Sequence, residues 1–481
     1  MSEDFTCYSP TRVHFGEDAL GLLGDELKNY GPKVMLSYGG DSIKRSGIYD
    51  QLVKVLREAG KTIIEDGGVM ANPVFVIHRD YGRIEPVKDE EKLEEPILTV
   101  NDRRMPCPDI GSVLEGARKV RKEGVDLILA VGGGLMADYA KAVSASAYQQ
   151  RNPWDYYFKH SGKLDSRWIP VGVVLTELGT GSEMNSISFI SFEREQLLVV
   201  NQFCSFETEF VSNKDRQLLF THFRNPDFAI LSPEFVYADP DSDYFSRPSI
   251  YGTMSCLLEQ YLSGNNDDTS DFVLEGLMQN LIDNSPMLLD DIRVHKAYND
   301  VMWTATWGLY DLAKYDNVMN WDLYMLGLAV SAFAYVSHDD MLSAVSGAYY
   351  RLLMEKSDEV LARFKRLALK VWGVRPEGKD DKAVALEGLE SMEIWMRKVG
   401  LATTITRIGA KENDIEKYAD VCLRNTAGFL TLTRDEVIEI YRRSLWWSPV
   451  LIAIGKIEVL LENGVIRRGH IENNLNNFYN K

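Results

Sequence analysis

The segment VDLILAVGGGLMADYAK, residues 125–141, restricts the fold more than any other part of the chain. Leu127 to Val131 are apolar without alternation, the pattern of a strand buried on both faces. Gly132, Gly133 and Gly134 follow, and then a helical pattern begins. The same grammar occurs upstream. KVMLSYGGDS, residues 33–42, is a β-rich run ending in glycines, IYDQLVKVLREAG has helical spacing, and KTIIEDGG is a second run. GSVLEGARKVRKEG places Val113, Leu114, Ala117 and Val120 at helical intervals. Strands alternating with helices predict a parallel sheet covered by helices. From about residue 241 the pattern changes to long helical stretches, such as DFVLEGLMQNLIDNSPMLLDDI and EKSDEVLARFKRLALKVWG. The expected fold is therefore an α/β N-terminal domain over residues 1–240 and an all-helical C-terminal domain over 241–481, with the proline-containing SPEFVYADPDSDYFSRPS at the boundary. YGTMSCLLEQYLSG, residues 251–264, reads as the start of a helix in the second domain.

Composition excludes several classes of partner. A formal charge of −18 gives no field to attract phosphate backbones, so neither nucleic acid nor an anionic membrane is expected as a partner, and a small-molecule substrate is. The start, MSEDFTCYSP, has neither the basic residues nor the apolar run of a secretory signal, which predicts a cytoplasmic protein. Five scattered cysteines, at 7, 107, 204, 256 and 422, form no Cys-x-x-Cys pair and indicate neither a disulfide framework nor a zinc knuckle. LWWSPVLIAIGKIEVLL is interrupted by Pro449, Gly455, Lys456 and Glu458 and reads as packing surface rather than a membrane span. The charged IEPVKDEEKLEEPILTVNDRRMPCP reads as a solvated surface insertion.

The glycines between strand and helix are candidates for phosphate binding. Without a side chain the backbone approaches a phosphate closely, and the helix start presents free N–H groups and the positive end of its dipole. Gly132, Gly133 and Gly134 form one such loop, and Gly39, Gly40, Asp41 and Ser42 form another. Neither is a G-x-G-x-x-G fingerprint, and a tight turn without ligand remains the competing reading of each loop alone. Two in one α/β domain point toward a dinucleotide. TELGTGSEMN, residues 176–185, is a third glycine- and hydroxyl-rich loop, readable as cleft lining or as a polar turn.

GGGLMADYAK, TGSEMN and NPWDYY together resemble the iron-containing alcohol dehydrogenases, especially their butanol dehydrogenase and aldehyde reductase branch, which shares the dehydroquinate synthase-like fold. The resemblance runs from about Gly31 through YGGDSIKRSGIYDQ, NPDFAILSPEFVYADP and LEQYL to TRDEVIEIYRRS. The chain departs from it by insertions at about 75–106 and 195–212 and by a C-terminal extension from about 445. The resemblance implies a dinucleotide-binding α/β domain, a helical domain, a cofactor in the cleft between them, and a homodimer or larger assembly. It places Gly132, Gly133, Gly134, Asp138 and Lys141 on the pyrophosphate and cleft motif, with Leu135 in place of the usual serine. Thr176, Thr180, Gly181 and Ser182 fall on the nicotinamide-side loop, where Glu177 and Leu178 replace an apolar residue and proline. In the adenosine loop Asp41 stands at the third glycine of the NADP-preferring branch, and its carboxylate would repel a 2′-phosphate, so NAD is expected rather than NADP.

The implied metal site is depleted. The family holds its divalent ion with an aspartate and a histidine at i and i+4 and with two later histidines. Here those positions carry Gly252, Cys256, Tyr324 and His338, and a further cleft histidine falls on Leu328. The seven histidines, at 14, 78, 160, 222, 295, 338 and 470, contain no i, i+3 or i, i+4 pair. A divalent site needs three or four converging N, O or S donors, so no bound metal is expected. In the family that ion acts as a Lewis acid on the alcohol or carbonyl oxygen.

Three functions fit these residues. The chain can be an NAD-dependent oxidoreductase of a small alcohol or carbonyl compound, with the usual metal-dependent activity lost or altered and Tyr324 or His338 supplying the proton. The cleft can serve non-redox chemistry through a Cys256/His338 pair, thiolate and base, although a lone buried cysteine is usually a small hydrophobe and a lone histidine a satisfied core residue. Or the chain is a catalytically silent binding or partner subunit, presenting Trp446 and Trp447.

Overall fold

The computed structural model describes residues 10–69, 73–76, 103–106, 110–160, 162–178, 181–192, 198–199, 210–211, 217–237, 242–263, 268–290, 295–309, 322–334, 338–422 and 430–445. Six strands build the main sheet: β1 (Arg12–Phe15), β2 (Lys33–Tyr38), β3 (Thr62–Gly67), β4 (Leu127–Gly132), β5 (Val171–Leu175) and β6 (Phe228–Leu231). Their spatial order is β1-β6-β5-β4-β2-β3, and every pairing is parallel. Helices α1 (Ile48–Glu58), α2 (Ile110–Glu123) and α3 (Gly134–Ser146) form the crossovers beside the centre of the sheet.

Alternation within buried strands sends residues to two different cores. Val34, Leu36, Leu127, Leu129 and Val131 join Leu52 and Leu56 of α1 on one face. Met35, Ile128 and Ala130 join Val113, Ala117 and Val120 of α2 and Ala137 and Ala140 of α3 on the other. Both faces being covered explains why these strands read as continuous apolar runs.

The second core does not stop at the sheet. It continues through α4 (Ser242–Leu262), α5 (Asp268–Asn284), α6 (His295–Leu309), α7 (Asp322–Ala334), α8 (His338–Lys356), α9 (Asp358–Lys370), α10 (Asp381–Lys398) and α11 (Arg434–Arg443). Tyr251 and Leu257 of α4, Met302 of α6, Leu326 of α7 and Tyr349 of α8 all belong to it.

Two helical expectations change. α4 begins at Ser242, so residue 251 is mid-helix rather than a helix start. The misleading signal is Pro248, whose ring lacks an N–H; inside α4 that removes one hydrogen bond near the helix start without ending the helix. EKSDEVLARFKRLALKVWG divides at Ser357, whose hydroxyl accepts from Val360 N and starts α9 afresh after α8.

The 75–106 insertion begins and ends on a described antiparallel pair, Pro73–Val76 with Arg103–Pro106, and residues 77–102 lie outside the described residues. The 195–212 insertion extends from a ribbon of Ile187–Phe192 paired with Gln217–His222. Residues 446–481, with Trp446 and Trp447, lie outside the described residues. Among the described residues no helix is long and apolar enough to cross a membrane.

Candidate active site

The chain leaves β2 toward β3 on one side and leaves β4 toward β5 on the other, so the sheet reverses direction between β2 and β4. In open α/β sheets the crevice at such a reversal, beyond the C-terminal strand ends, is where ligands bind. Both candidate glycine loops lie there. After Tyr38, Gly39 is buried and Gly40 is exposed, with nothing within 4 Å of the position a Cβ would take. Asp41 then precedes the short helix Ser42–Arg45, its side chain 77% exposed and 3.7 Å from Lys44 Nζ.

After β4 the backbone is specialised for glycine. Gly132 has φ +148°, and a Cβ there would stand 2.7 Å from Met136 Cγ. Gly133 is extended and precedes the first turn of α3, which opens at Gly134. Thr176 N donates to Gly132 O at 3.0 Å, tying the exit of β5 to that of β4. The side chain that crosses this junction belongs to Glu177, whose carboxylate lies where a Cβ on Gly133 would be.

A buried polar hub braces the loops from behind. Asp66 at the end of β3 accepts from Ser37 Oγ at 2.9 Å, Tyr139 OH at 2.9 Å and Lys119 Nζ at 2.7 Å. These bonds join β2, β3, α2 and α3 at the reversal point. Burial, and next the charge of Asp66, raises the Tyr139 phenol far above its ordinary range, so it stays a donor.

Asp138 and Lys141 are the inner members of the predicted cofactor set. They pair at 3.1 Å with side chains 2% and 0% exposed. Lys141 Nζ also donates to Ser182 O at 3.0 Å and Asn185 Oδ1 at 3.2 Å, so it anchors the 181–185 segment to α3. Glu183 is wholly buried beside it, with Thr306 Oγ1 of α6 at 3.5 Å from Glu183 Oε1. Burial pulls the lysine pKa down, and the Asp138 and Glu183 charges oppose that pull. Thr176 is half-buried and Ser182 is buried within this segment, while Thr180 lies outside the described residues.

On the helical side, exposure picks out the predicted positions. From Tyr251 to Leu262, Gly252 and Cys256 are the two residues that remain partly accessible, one turn apart on one face of α4. Tyr324 is likewise partly accessible between buried neighbours on α7. His338 opens α8, but its side chain and that of Leu328 lie outside the described residues, so the Cys256/His338 separation is not defined.

Sequence reasoning missed what lies behind this face. Glu259 follows Gly252 by seven residues and Cys256 by three, which puts it on the same side of α4, and it is buried. Burial first, and then the Asp322 charge, pushes its carboxyl well above the usual range. Tyr350 of α8 is buried against the same group, electrostatically coupled to Tyr251, Glu259 and Cys256. The available signal was spacing: a glutamate on an i, i+4, i+7 stripe with Gly252 and Cys256.

Two family models match the chain. Iron-containing alcohol dehydrogenase covers residues 72–207, and the Fe-containing alcohol dehydrogenase family C-terminal model covers residues 251–445. The chain belongs to the iron-containing alcohol dehydrogenase family. It is similar to a probable NADH-dependent butanol dehydrogenase 2 of Bacillus subtilis, 28% identical over 92% of this chain and 100% of the relative. It is also similar to the NADPH-dependent aldehyde reductase YqhD of Escherichia coli, 26% identical over 92% and 98%. A solved NADH-dependent butanol dehydrogenase A from Thermotoga maritima superposes with TM-score 0.72 at 25% identity, covering 92% of this chain and 99% of that one. The relatives' names divide between NADH and NADPH, and both are alcohol or aldehyde oxidoreductases.

Proposed function

We propose that this chain is an NAD(H)-binding oxidoreductase of small alcohols or carbonyl compounds whose chemistry does not rest on its family's divalent ion, working as a homodimer or larger homo-oligomer. The observation that carries the reading is the pairing of two glycine loops at the sheet reversal with a half-open helical face that carries Gly252 and Cys256.

The cofactor fits the first region. Gly39, Gly40, Asp41 and Ser42 would hold the adenosine end, Gly132, Gly133 and Gly134 the pyrophosphate, and Thr176, Thr180 and Ser182 the nicotinamide side. The exposed Asp41 carboxylate opposes a 2′-phosphate and favours NAD. Asp138 and Lys141 act from beneath by fixing the third loop.

A divalent ion does not fit the second region. Gly252 has no donor atom, and among the described residues no three His, Cys, Asp or Glu side chains converge as an ion requires. When bound, a reduced nicotinamide supplies hydride to a carbonyl carbon. The protein's part is then to give a proton to the carbonyl oxygen, from Tyr324 or His338. A positioned side-chain acid is worth about 10²- to 10⁴-fold, part of what a Lewis acid supplies.

The partial exposure of Cys256 supports a second reading, in which a thiolate paired with His338 performs non-redox chemistry. Fluorescence titration of the purified protein with NADH and NADPH, alongside metal analysis, tests the first. NADH is expected to bind about tenfold tighter than NADPH, with metal far below one ion per chain. Failure to bind either dinucleotide overturns the cofactor assignment, and one tightly held ion per chain overturns the metal assignment.

A further inference from the structure

Resting on that cofactor reading, we propose that Glu177 is an internal anion seated in the pyrophosphate cradle, which a dinucleotide must displace, and that it sets the affinity of this chain for its cofactor. The geometry begins at β5. The bond from Thr176 N to Gly132 O brings the two loop exits together, so the next residue, Glu177, projects across the glycines. Its carboxylate takes the space beside Gly133 that a side chain on that glycine would otherwise fill.

That space is chemically distinctive. Gly133 precedes α3, whose 13 residues give a full dipole, and the first N–H groups of a helix have no partner within it. A phosphate bound at such a loop sits where those groups point. A carboxylate meets the same requirement with one negative charge. Gly133 is thus needed twice in this chain: it admits a pyrophosphate when one binds, and it admits Glu177 when none does.

The backbone that carries Glu177 is held by its neighbour. Leu178 is 2% exposed and packs into the core, so the loop cannot roll outward without uncovering it. The helix start adds a favourable field at the carboxylate. A pyrophosphate entering the cradle meets an occupied position of like charge, and binding includes the work of moving the side chain out.

Calorimetric titration with NADH, of the full chain and of its Glu177→Ala and Glu177→Gln forms, tests the proposal, with inorganic pyrophosphate as a second probe. Thermal unfolding without ligand is recorded in parallel. Both variants are expected to bind NADH and pyrophosphate about tenfold more tightly, the scale of a partly buried carboxylate at a helix start, and to melt lower without ligand. A purely structural role as helix cap lowers the melting temperature and leaves both affinities unchanged; that result overturns the proposal and leaves the cofactor reading standing. If neither the native chain nor either variant binds NADH, NADPH or pyrophosphate, both fall.

Discussion

The glycine loops and the half-open face of α4 are specified in different ways. The loops are made by backbone: strand register sets their place, and Gly40 and Gly132 contribute by what they lack. Asp66 and Lys141 brace them from behind, and the side chain that crosses the glycine junction is that of Glu177. The α4 face is made by side chains, and one replacement is enough to change its chemistry. Gly252 and Cys256 keep the helix, the spacing and the half-open exposure, yet they offer a metal no carboxylate and no imidazole. Under the proposed function, the dinucleotide crevice is kept while the reactive group of the helical domain is exchanged.

The largest effect is expected behind the glycine loops. Lys141→Met removes the cation that neutralises Asp138 and stands beside the buried Glu183. Stranding buried carboxylates costs about 3–5 kcal/mol, and urea unfolding will show it as a midpoint shift without a change in slope. A loss below about 1 kcal/mol would mean that the third loop is held by something other than this lysine.

On the cofactor side, Asp41→Ala is expected to tighten NADPH binding about five- to tenfold and leave NADH nearly unchanged, in paired fluorescence titrations. Equal gains for both cofactors would place Asp41 away from the ribose.

On the helical side the test is a pH profile. The unfolded chain releases the Glu259 proton in the usual carboxylate range, while the folded chain retains it, so stability falls as pH rises above that range until the folded group ionises. Glu259→Gln carries no such proton. Its stability relative to the native chain should improve as pH rises above the usual carboxylate range in chemical unfolding. A constant difference across that rise would mean the carboxyl is not held in its acid form.

The smallest effect belongs to Cys256→Ala. If the thiol mainly fills volume, NADH-dependent turnover changes by about threefold or less. Loss of all turnover would transfer the chemistry to the thiolate reading.

Much of this was legible in the sequence because burial on both faces writes itself as continuous apolar runs. Leu127 to Val131 and the glycines after them gave both strand and crevice, and KVMLSYGGDS gave the partner strand. The helix boundary at 251 was misread because Pro248 looks like a stop, and its missing N–H costs only one bond inside α4. Asp66, Glu183 and Glu259 were not legible as parts of the site. Each earns its place through burial against residues distant in sequence, such as Tyr139, Thr306 and Asp322, and no local spacing encodes that. Glu177 stood out in sequence as an unusual carboxylate, but its position over Gly133 depends on the register of β4 and β5.

The central claim is that dinucleotide chemistry here proceeds without a divalent ion. Its most direct test is the reduction of butanal by chelator-treated protein with NADH, assayed before and after addition of Fe²⁺ or Zn²⁺. The account predicts a measurable rate that neither ion increases. A rate that is absent after chelation and restored by one equivalent of either ion would contradict it.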